Sequence, residues 1–218
     1  METHGTPPTT AYHSATLSGN SNEIYIFGGV VNGACSNALT IYDLDGANFY
    51  EPIVLGDAPS PRSGHSATQL RDGRIVLFGG WDEPVCYNDV HVLDCGTMEW
   101  QAIATTGKAP SPRSWHQTVA LDPTHLLVYG GYNGSAALDD VFVLDVEAWR
   151  WHPAAAFGIK LPDGAIAKRA GHAVVTCPVR GGGDNGSGDE VDYGVFVIAG
   201  GNNDDVFFND ATRVDVLA

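Results

Sequence analysis

Four histidines recur along the chain at nearly constant spacing, and they are the first residues whose chemistry we consider. The steps between them are 52, 51 and 56 residues, and the residues are His13, His65, His116 and His172. Imidazole is a common metal ligand, so a ring of four would be a candidate metal site. Repeated units, however, place one residue type at one position for packing alone, and a single ion needs ligand bonds of ~2 Å. We therefore favour hydrogen bonding of each histidine to a neighbouring repeat, and we expect no metal.

Three arginines stand three residues before these histidines and form the second candidate set. They are Arg62, Arg113 and Arg169, whereas the first repeat has Thr10 at that position. A guanidinium group binds a carboxylate through two parallel hydrogen bonds, so these arginines could receive an acidic ligand. An arginine in the segment Pro-Arg-Ser-Gly-His could equally pin a loop to a nearby backbone carbonyl. Both interpretations stay open on the sequence.

The cysteines and the other polar residues form no catalytic constellation. None of Cys35, Cys86, Cys95 and Cys177 belongs to a C-x-x-C pair, which disfavours zinc and redox motifs. Cys35 and Cys86 lie six residues after successive Gly-Gly pairs. They therefore occupy equivalent positions, and free thiols are expected. No Ser-His-Asp or Cys-His set stands out, so the sequence predicts neither an enzyme nor a cofactor.

Composition limits the classes of partner. The formal net charge is −15, from 26 acidic and 11 basic residues, and no run of Lys or Arg forms a basic patch. Nucleic acid is therefore disfavoured as a partner. No apolar run approaches the ~20 residues of a membrane helix. The first residues also lack the basic and apolar regions of a signal peptide, so the cytoplasm is the expected location, with the nucleus as the alternative.

Four double glycines mark the elements that must position these residues. The pairs are spaced 51, 51 and 70 residues apart, at Gly28-Gly29, Gly79-Gly80, Gly130-Gly131 and Gly200-Gly201. A short apolar run rich in β-branched and aromatic residues precedes each pair, which predicts strands buried on both faces. The longer last step comes from a glycine-rich insert at residues 180–191, which we interpret as a flexible loop. A calcium loop is the alternative, although its aspartates do not fit the EF-hand spacing.

Two further recurring residues, an aspartate and an aromatic residue, complete the repeat. An aspartate follows the second glycine by 14 residues and is expected to start a turn by bonding its own downstream backbone, at Asp43, Asp94, Asp145 and Asp215. A large aromatic residue begins another strand, at Tyr50, Trp100 and Trp151. Each repeat thus holds about four short strands in roughly 50 residues, the size of one propeller blade. The predicted repeats cover approximately residues 9–58, 59–109, 110–165 and 166–218, the last without its outer strand.

The repeated histidine, the Gly-Gly after an apolar strand and the downstream aromatic residue together resemble the kelch repeat. The match is carried by Ser63-Gly-His-Ser-Ala through Trp100, by Ser114-Trp-His-Gln-Thr through Trp151, by Ala11-Tyr-His-Ser-Ala through Tyr50, and in part by the fourth repeat. This resemblance implies an all-β fold, a kelch-type β-propeller built from about four four-stranded antiparallel blades.

The same resemblance bears on how the propeller closes. Kelch propellers usually carry more blades than these repeats supply, so we favour a segment of a larger propeller over closure by four blades. Residues 2–8 look like the end of a preceding blade, because Gly5 precedes the first histidine much as Gly56 precedes the second.

The resemblance also implies where a partner would bind. In kelch propellers that capture acidic peptides, arginines at the positions of Arg62, Arg113 and Arg169 project into the mouth of the channel. The residues after each Gly-Gly open loops on the same rim, and the expected interface anchors there are Trp81, Tyr132 and the nearby Trp115. The predicted function is a non-catalytic module or scaffold that binds a partner polypeptide, with acidic contacts, through its inter-blade loops.

Two other functions stay open. Some kelch-type propellers are copper oxidases or iron-dependent lyases, although this chain shows no matching cluster of tyrosine, histidine or acidic ligands. A purely structural role is the other alternative. A partial propeller exposes two apolar blade faces, and such faces favour self-association.

Overall fold

The structure is a computed structural model that describes residues 4–19, 21–157, 159, 167–179, 192–203 and 206–215. Its strands form four antiparallel sheets arranged as the blades of a propeller, which confirms the all-β fold expected from the repeats. The insert at residues 180–191, with its two alternative interpretations, lies outside the described residues.

The first two blades follow one plan. Blade 1 contains β1 (Ser14–Ser18), β2 (Glu23–Phe27), β3 (Val30–Val31), β4 (Ala34–Cys35), β5 (Leu39–Asp43) and β6 (Asn48–Tyr50). Blade 2 contains β7 (Leu55–Gly56), β8 (Ser66–Gln69), β9 (Arg74–Asp82), β10 (Val85–Asp94) and β11 (Glu99–Ile103). The sheet orders are β1-β2-β5-β6 and β8-β9-β10-β11-β7, while β3 and β4 form a small separate hairpin.

The last two blades repeat that plan. Blade 3 contains β12 (Thr106–Gly107), β13 (Gln117–Ala120), β14 (His125–Tyr129), β15 (Val141–Asp145) and β16 (Arg150–Pro153), followed by one 3-10 turn at Ala154–Phe157. Blade 4 contains β17 (Ala170–Val179), β18 (Asp192–Asn203), β19 (Val206–Phe207) and β20 (Ala211–Asp215). Their orders are β13-β14-β15-β16-β12 and β17-β18-β20, with β19 pairing the end of β18. Within the described ranges, no helix is long and apolar enough to cross a membrane.

One strand of each blade is innermost. β1, β8, β13 and β17 contact their neighbours in that order, and together they line a wide-open central channel with a volume of about 390 Å³. The repeated histidine stands at the start of this strand in every blade. The fold therefore places His65, His116 and His172, and the arginines before them, where one blade meets the next, whereas His13 is exposed on blade 1.

Blades 1, 2 and 3 each gain an outer edge from the chain that precedes them, which the sequence did not predict. β7 pairs in parallel with β11, and β12 pairs in parallel with β16. His4 forms a parallel bridge to β6 in the same manner, and Gly5 and Gly56 share φ values of 74° and 76°. The N-terminal segment thus covers the edge of blade 1 as β7 covers the edge of blade 2.

The apolar core lies between the blades rather than within any one of them. On β9, Ile75 and Leu77 pack against blade 1, while Val76 and Phe78 pack against blade 3, and all four are at most 2% exposed. β9 and β14 are therefore buried on both faces, as predicted, whereas β2 alternates between buried and half-buried residues. Full burial of such a side chain is worth about 1.5–3 kcal/mol, so the contacts between blades carry much of the folding free energy.

The repeated aspartates start turns, as predicted. Asp43, Asp94 and Asp145 each accept a hydrogen bond from the backbone N–H two residues later, at 2.9, 2.8 and 2.9 Å. This geometry explains their recurrence without a catalytic role. The side chain of Asp215 lies outside the described part of the chain.

Replacing Gly79 with alanine is expected to destabilise the protein by about 2 kcal/mol more than the same change at Gly33. Both glycines have positive φ, at 64° and 83°, so both substitutions strain the backbone. A Cβ at Gly79 would lie 2.7 Å from the Arg113 carbonyl oxygen, whereas a Cβ at Gly33 meets nothing within 4 Å. Chemical denaturation of the two variants measures the difference, and equal losses would contradict close packing at the blade contact.

Candidate protein-interaction rim

The contact between adjacent blades, here called a joint, begins with two backbone hydrogen bonds. The Arg62 N–H donates to the Ser36 carbonyl at 3.1 Å, and the Arg62 carbonyl accepts from the Gly29 N–H at 2.8 Å. The same two bonds recur at Arg113 and Arg169. The main chain of one blade thereby fixes the loop that leads into the next blade.

The three arginine side chains are buried in ion pairs. Their exposed fractions are 1%, 0% and 1%, and each guanidinium binds an aspartate of its own blade through two hydrogen bonds. The pairs are Arg62–Asp89, Arg113–Asp140 and Arg169–Asp210. In the first pair the two N···O distances are 2.6 and 2.9 Å. The hydrogen bonds from Arg169 lower the pKa of Asp210.

This placement does not fit the expectation that the arginines project into the channel mouth and contact a ligand. Arg62 also donates to the Gly79 carbonyl at 3.0 Å, and its guanidinium lies 4.1 Å from the centre of the Tyr87 ring. A partner would have to displace these groups to reach it. The alternative interpretation, in which the arginine pins the loop between two blades, fits the geometry.

Blade 1 lacks both members of the pair. Thr10 replaces the arginine, and Ala38 stands where the other blades have the aspartate. The Thr10 hydroxyl donates to the Gly28 carbonyl at 2.9 Å, which corresponds to the bond that Arg62 makes to Gly79. The charged pair is therefore present or absent as a unit.

Three of the four repeated histidines lie in the joints, in agreement with the interpretation favoured from the sequence. His65, His116 and His172 are 7%, 1% and 3% exposed. Serine hydroxyls of the preceding blade lie 2.8 Å from His65 Nε2 and 2.9 Å from His116 Nε2, which confirms hydrogen bonding to a neighbouring repeat. His172 departs from the pattern because Gln117 replaces that serine, and its Nε2 has no hydrogen-bond partner.

Burial keeps these histidines neutral. It lowers the pKa of His65 to about 3, with the Arg62 charge as the next cause, and lowers the pKa of His172 to about 4. The pKa of His116 also falls well below its ordinary value for the same reason. Over the described ranges, no group of three or more His, Cys, Asp or Glu side chains is arranged to hold a metal ion.

Trp115 is the most accessible of the three predicted anchors. It is 36% exposed, and it has a φ of 51° at a position where the neighbouring repeats have Gly64 and Gly171. Its indole covers Gly64, where a Cβ would come within 2.9 Å of the ring. The Tyr132 ring centroid lies 5.9 Å away, so the structure brings two of the predicted anchors together.

The other two anchors are placed by the backbone. Trp81 and Tyr132 form antiparallel bridges with Ser63 and Ser114, respectively. These two serines directly precede Gly64 and Trp115 in the sequence. The partly exposed Trp81 indole reaches towards the blade 3 loop, where a Cβ on Gly134 would lie 3.4 Å from it. Cys35 and Cys86 occupy equivalent joints, with their thiols directed at the Trp81 and Tyr132 carbonyls at 3.4 and 3.7 Å.

Sequence reasoning missed Tyr12, which is 66% exposed on the same face. The signal was available, because Tyr12 precedes His13 as Trp115 precedes His116. A ladder of backbone hydrogen bonds joins these positions around the channel: Gly64 N–H to Tyr12 O, Trp115 N–H to Gly64 O, and Gly171 N–H to Trp115 O, at 3.0, 2.7 and 2.8 Å. We call Tyr12, Trp81, Trp115 and Tyr132 the aromatic rim.

The exposed charges around the aromatic rim are mainly carboxylates. Asp89 and Asp140 keep 40% of their side-chain surface exposed despite their arginine partners, and Asp210 keeps 48%. The rim loops add Asp82, Glu83 and Asp139, and the linkers into the inner strands carry the exposed Lys108 and Lys168. Because the arginines are buried, the charge that a partner can reach at the rim is mainly that of carboxylates.

Blades joined through recurring Gly-Gly, arginine and histidine positions define a β-propeller built from kelch repeats. The KLHDC2/KLHL20/DRC7 Kelch-repeats domain matches residues 1–182 of this chain. The chain belongs to the kelch-repeat family.

Several curated proteins are similar to the chain over part of their length. Acyl-CoA-binding domain-containing protein 4 of Arabidopsis thaliana is 36% identical over 164 residues, which is 74% of this chain and 24% of that protein. Acyl-CoA-binding domain-containing protein 5 of the same plant is 37% identical over 69% of this chain and 23% of its own length. Rab9 effector protein with kelch motifs of Xenopus laevis is 30% identical over 66% and 40%. The chain thus spans less than half of each relative.

Proposed function

We propose that this chain is a non-catalytic interaction module that binds a partner polypeptide across the aromatic rim. The observation that carries the proposal is the contact of Trp115 with Tyr132 at the channel mouth, beside Trp81 and the exposed Tyr12. Large aromatic side chains are the commonest energetic anchors of protein interfaces. A relative named as a Rab9 effector supports a role in protein recognition for the kelch repeats.

The rim is preorganised for binding. The backbone of Trp115 is fixed by hydrogen bonds to two neighbouring blades, and its indole rests on Gly64. A side chain that is already ordered loses little conformational entropy when a partner arrives, so more of the contact energy contributes to affinity.

The charge of the rim selects the chemistry of the partner. The arginines that were expected to receive acidic side chains are occupied by aspartates, and those aspartates remain accessible. We therefore assign the rim to a segment that carries Lys or Arg, because a cation can pair with Asp89 or Asp140 and also stack on an indole. In this proposal the arginines act indirectly, by fixing the carboxylates at the rim.

The cysteines bear on where the module acts. Cys35, Cys86 and Cys95 are free thiols, which fits a reducing compartment. We place the interaction in the cytoplasm, with the nucleus as the alternative.

The double variant Trp115→Ala/Tyr132→Ala is expected to lose at least about 90% of partner capture, since hot-spot residues cost ≥ 2 kcal/mol each. The measurement is affinity capture with quantitative mass spectrometry, comparing wild type, the double variant and Ile53→Ala. Ile53 is 87% exposed on the segment between β6 and β7 and is the matched control. Recovery of the same partners by the double variant and the wild type would contradict the aromatic rim as the binding site.

A further inference from the structure

The backbone ladder around the channel mouth needs a left-handed residue in every blade. The φ values are 59° at Tyr12, 61° at Gly64, 51° at Trp115 and 67° at Gly171. Glycine adopts this conformation freely, whereas a residue with a Cβ is strained there, and a bulky one is a clear outlier. Glycine is therefore the residue that the ladder alone favours, and two of the four repeats have it.

Trp115 occupies this strained position although blades lie on both sides of it. Its N–H donates to the Gly64 carbonyl at 2.7 Å, and its carbonyl accepts from the Gly171 N–H at 2.8 Å. The indole packs over Gly64 and contacts Tyr132, yet 36% of the residue stays exposed. Backbone strain that the adjacent repeats avoid, beneath a large accessible ring, is typical of residues that contact a ligand.

The exposed ring surface discriminates between the two kinds of cation that a polypeptide carries. The centroids of the Trp115 and Tyr132 rings are 5.9 Å apart, the separation of rings in direct contact, so a cation meets an open face and not a closed cage. A guanidinium is planar and weakly hydrated and stacks well on such a face. An ammonium is compact and strongly hydrated, and it keeps more of its water at an open site.

A carboxylate of the same blade can hold the charge of the stacked group. Asp140 accepts hydrogen bonds from Arg113 at 2.6 and 3.0 Å, and 40% of its side chain remains exposed. An ionised carboxylate has about four lone-pair sites, so Asp140 can accept from a second guanidinium as well. Arg113 precedes Trp115 by two residues, which places the carboxylate and the indole on the rim of one blade.

We propose that Trp115 selects arginine over lysine in the partner, its indole stacking on the guanidinium while a rim carboxylate such as Asp140 pairs with it. The assignment rests on the proposed function, in which the rim binds a cationic segment, and it names the side chain that the rim recognises. Gly64 supports this role, because a Cβ there would come within 2.9 Å of the indole.

The test uses the full chain and heteronuclear NMR of isotope-labelled protein. The five tryptophans give a short set of indole N–H signals, in which the signal missing from Trp115→Phe belongs to Trp115. The probe is the peptide Gly-Ser-Arg-Ser-Arg-Ser-Gly, with matched peptides that carry lysine or uncharged citrulline instead of arginine. The arginine peptide is expected to shift the Trp115 signal and to bind at least about fivefold more tightly than either matched peptide.

Substitutions at Trp115 separate recognition from folding. Trp115→Gly introduces the residue of two other repeats and is expected to bring the ratio of the lysine-peptide to the arginine-peptide Kd down to about one. Trp115→Phe keeps a weaker aromatic face and is expected to lower the ratio without abolishing it.

Trp149→Gly is the matched control and is expected to keep the wild-type ratio. Trp149 lies in the same blade, half-buried, with a φ of 49°, but on the turn between β15 and β16 at the end opposite the rim. Circular dichroism confirms that each variant is folded. If Trp115→Gly does not fold, Trp115→Phe decides the test.

Equal Kd values of the arginine and lysine peptides for wild type would overturn the selection of arginine and leave the rim a site for cations in general. An unchanged ratio in the Trp115 variants would overturn the role of this residue. If none of the peptides shifts any rim signal, the assignment of a cationic partner is itself wrong, and the selection of arginine falls with it.

Discussion

Arg113→Ala is expected to lower the free energy of unfolding by about 3 kcal/mol, because it removes a buried cation that several groups require. The Arg113 side chain is 0% exposed and donates to the Ser111 and Gly130 carbonyls at 3.0 Å each, besides its two bonds to Asp140. The substitution leaves the buried Gly130 carbonyl oxygen and the partly buried Ser111 carbonyl oxygen without this donor, and it opens a cavity at the joint. Chemical denaturation monitored by tryptophan fluorescence measures the loss.

The first blade supplies a matched rescue for this variant. Thr10 and Ala38 occupy the positions of Arg113 and Asp140, and the Thr10 hydroxyl satisfies the corresponding glycine carbonyl. The double variant Arg113→Thr/Asp140→Ala reproduces that pair in blade 3. It is expected to recover at least about half of the lost stability, since an uncharged pair leaves no unpaired carboxylate and restores one donor. Asp140→Ala alone is expected to lower the free energy of unfolding as much as Arg113→Ala, because it leaves the buried guanidinium without its carboxylate partner.

The same experiment separates the two roles considered for the arginines. Arg150 is exposed on the outer strand of blade 3, so Arg150→Ala controls for the loss of one positive charge and is expected to change stability by less than about 0.5 kcal/mol. If Arg113→Ala is as stable as Arg150→Ala but loses partner capture, the arginine contacts the ligand. The interpretation that it fixes the loop between two blades would then be wrong.

The blades themselves could be predicted from the sequence because four repeats place equivalent residues in the same structural environment. The apolar runs before each Gly-Gly lack alternation, and only a strand covered on both faces tolerates that, as Ile75 to Phe78 show in β9. The placement of the histidines in the joints followed from the same logic, since a residue recurring in every unit is first explained by contacts between units.

The outer edge strands were not predictable. β7 and β12 have two residues each, Leu55–Gly56 and Thr106–Gly107, and two residues show neither alternation nor a composition typical of strands. Their pairing is set by the neighbouring blade through backbone bonds such as Leu55 N–H to Met98 O at 2.9 Å. A local pattern does not contain that information.

The burial of the arginines could not be predicted from local sequence for a different reason. Arg62 and its partner Asp89 are 27 residues apart, and neither residue alone distinguishes an ion pair from a ligand site. The comparison of repeats does contain the signal, because the first repeat lacks both the arginine and the aspartate. The absence of both residues from the same repeat is what a direct contact between them predicts.

Acidification from pH 7.5 to pH 5 is expected to remove about 2 kcal/mol of stability for each of the histidines buried in the joints, His65, His116 and His172. Burial depresses the pKa of all three in the folded protein, to about 3 for His65 and about 4 for His172. In the unfolded chain each titrates near pH ~6.5. Below that value the unfolded state binds more protons than the folded state, so falling pH favours unfolding. The contribution is fully present above pH ~6.5 and declines continuously as the pH falls towards the folded values.

The histidine effect can be isolated from that of the carboxylates by its pH window and by a single substitution. The pKa of Asp210 is lowered by Arg169, so the loss of its ion pair begins only in more acidic solution. Between pH 6 and 5, the slope of unfolding free energy against pH reports protons taken up on unfolding, and His116→Gln is expected to reduce that uptake by about one proton. His4→Gln, at an exposed position on the outer edge, is the matched control for the loss of one imidazole. An unchanged slope in His116→Gln would mean that this histidine is already protonated in the folded joint, which its burial at 1% exposure opposes.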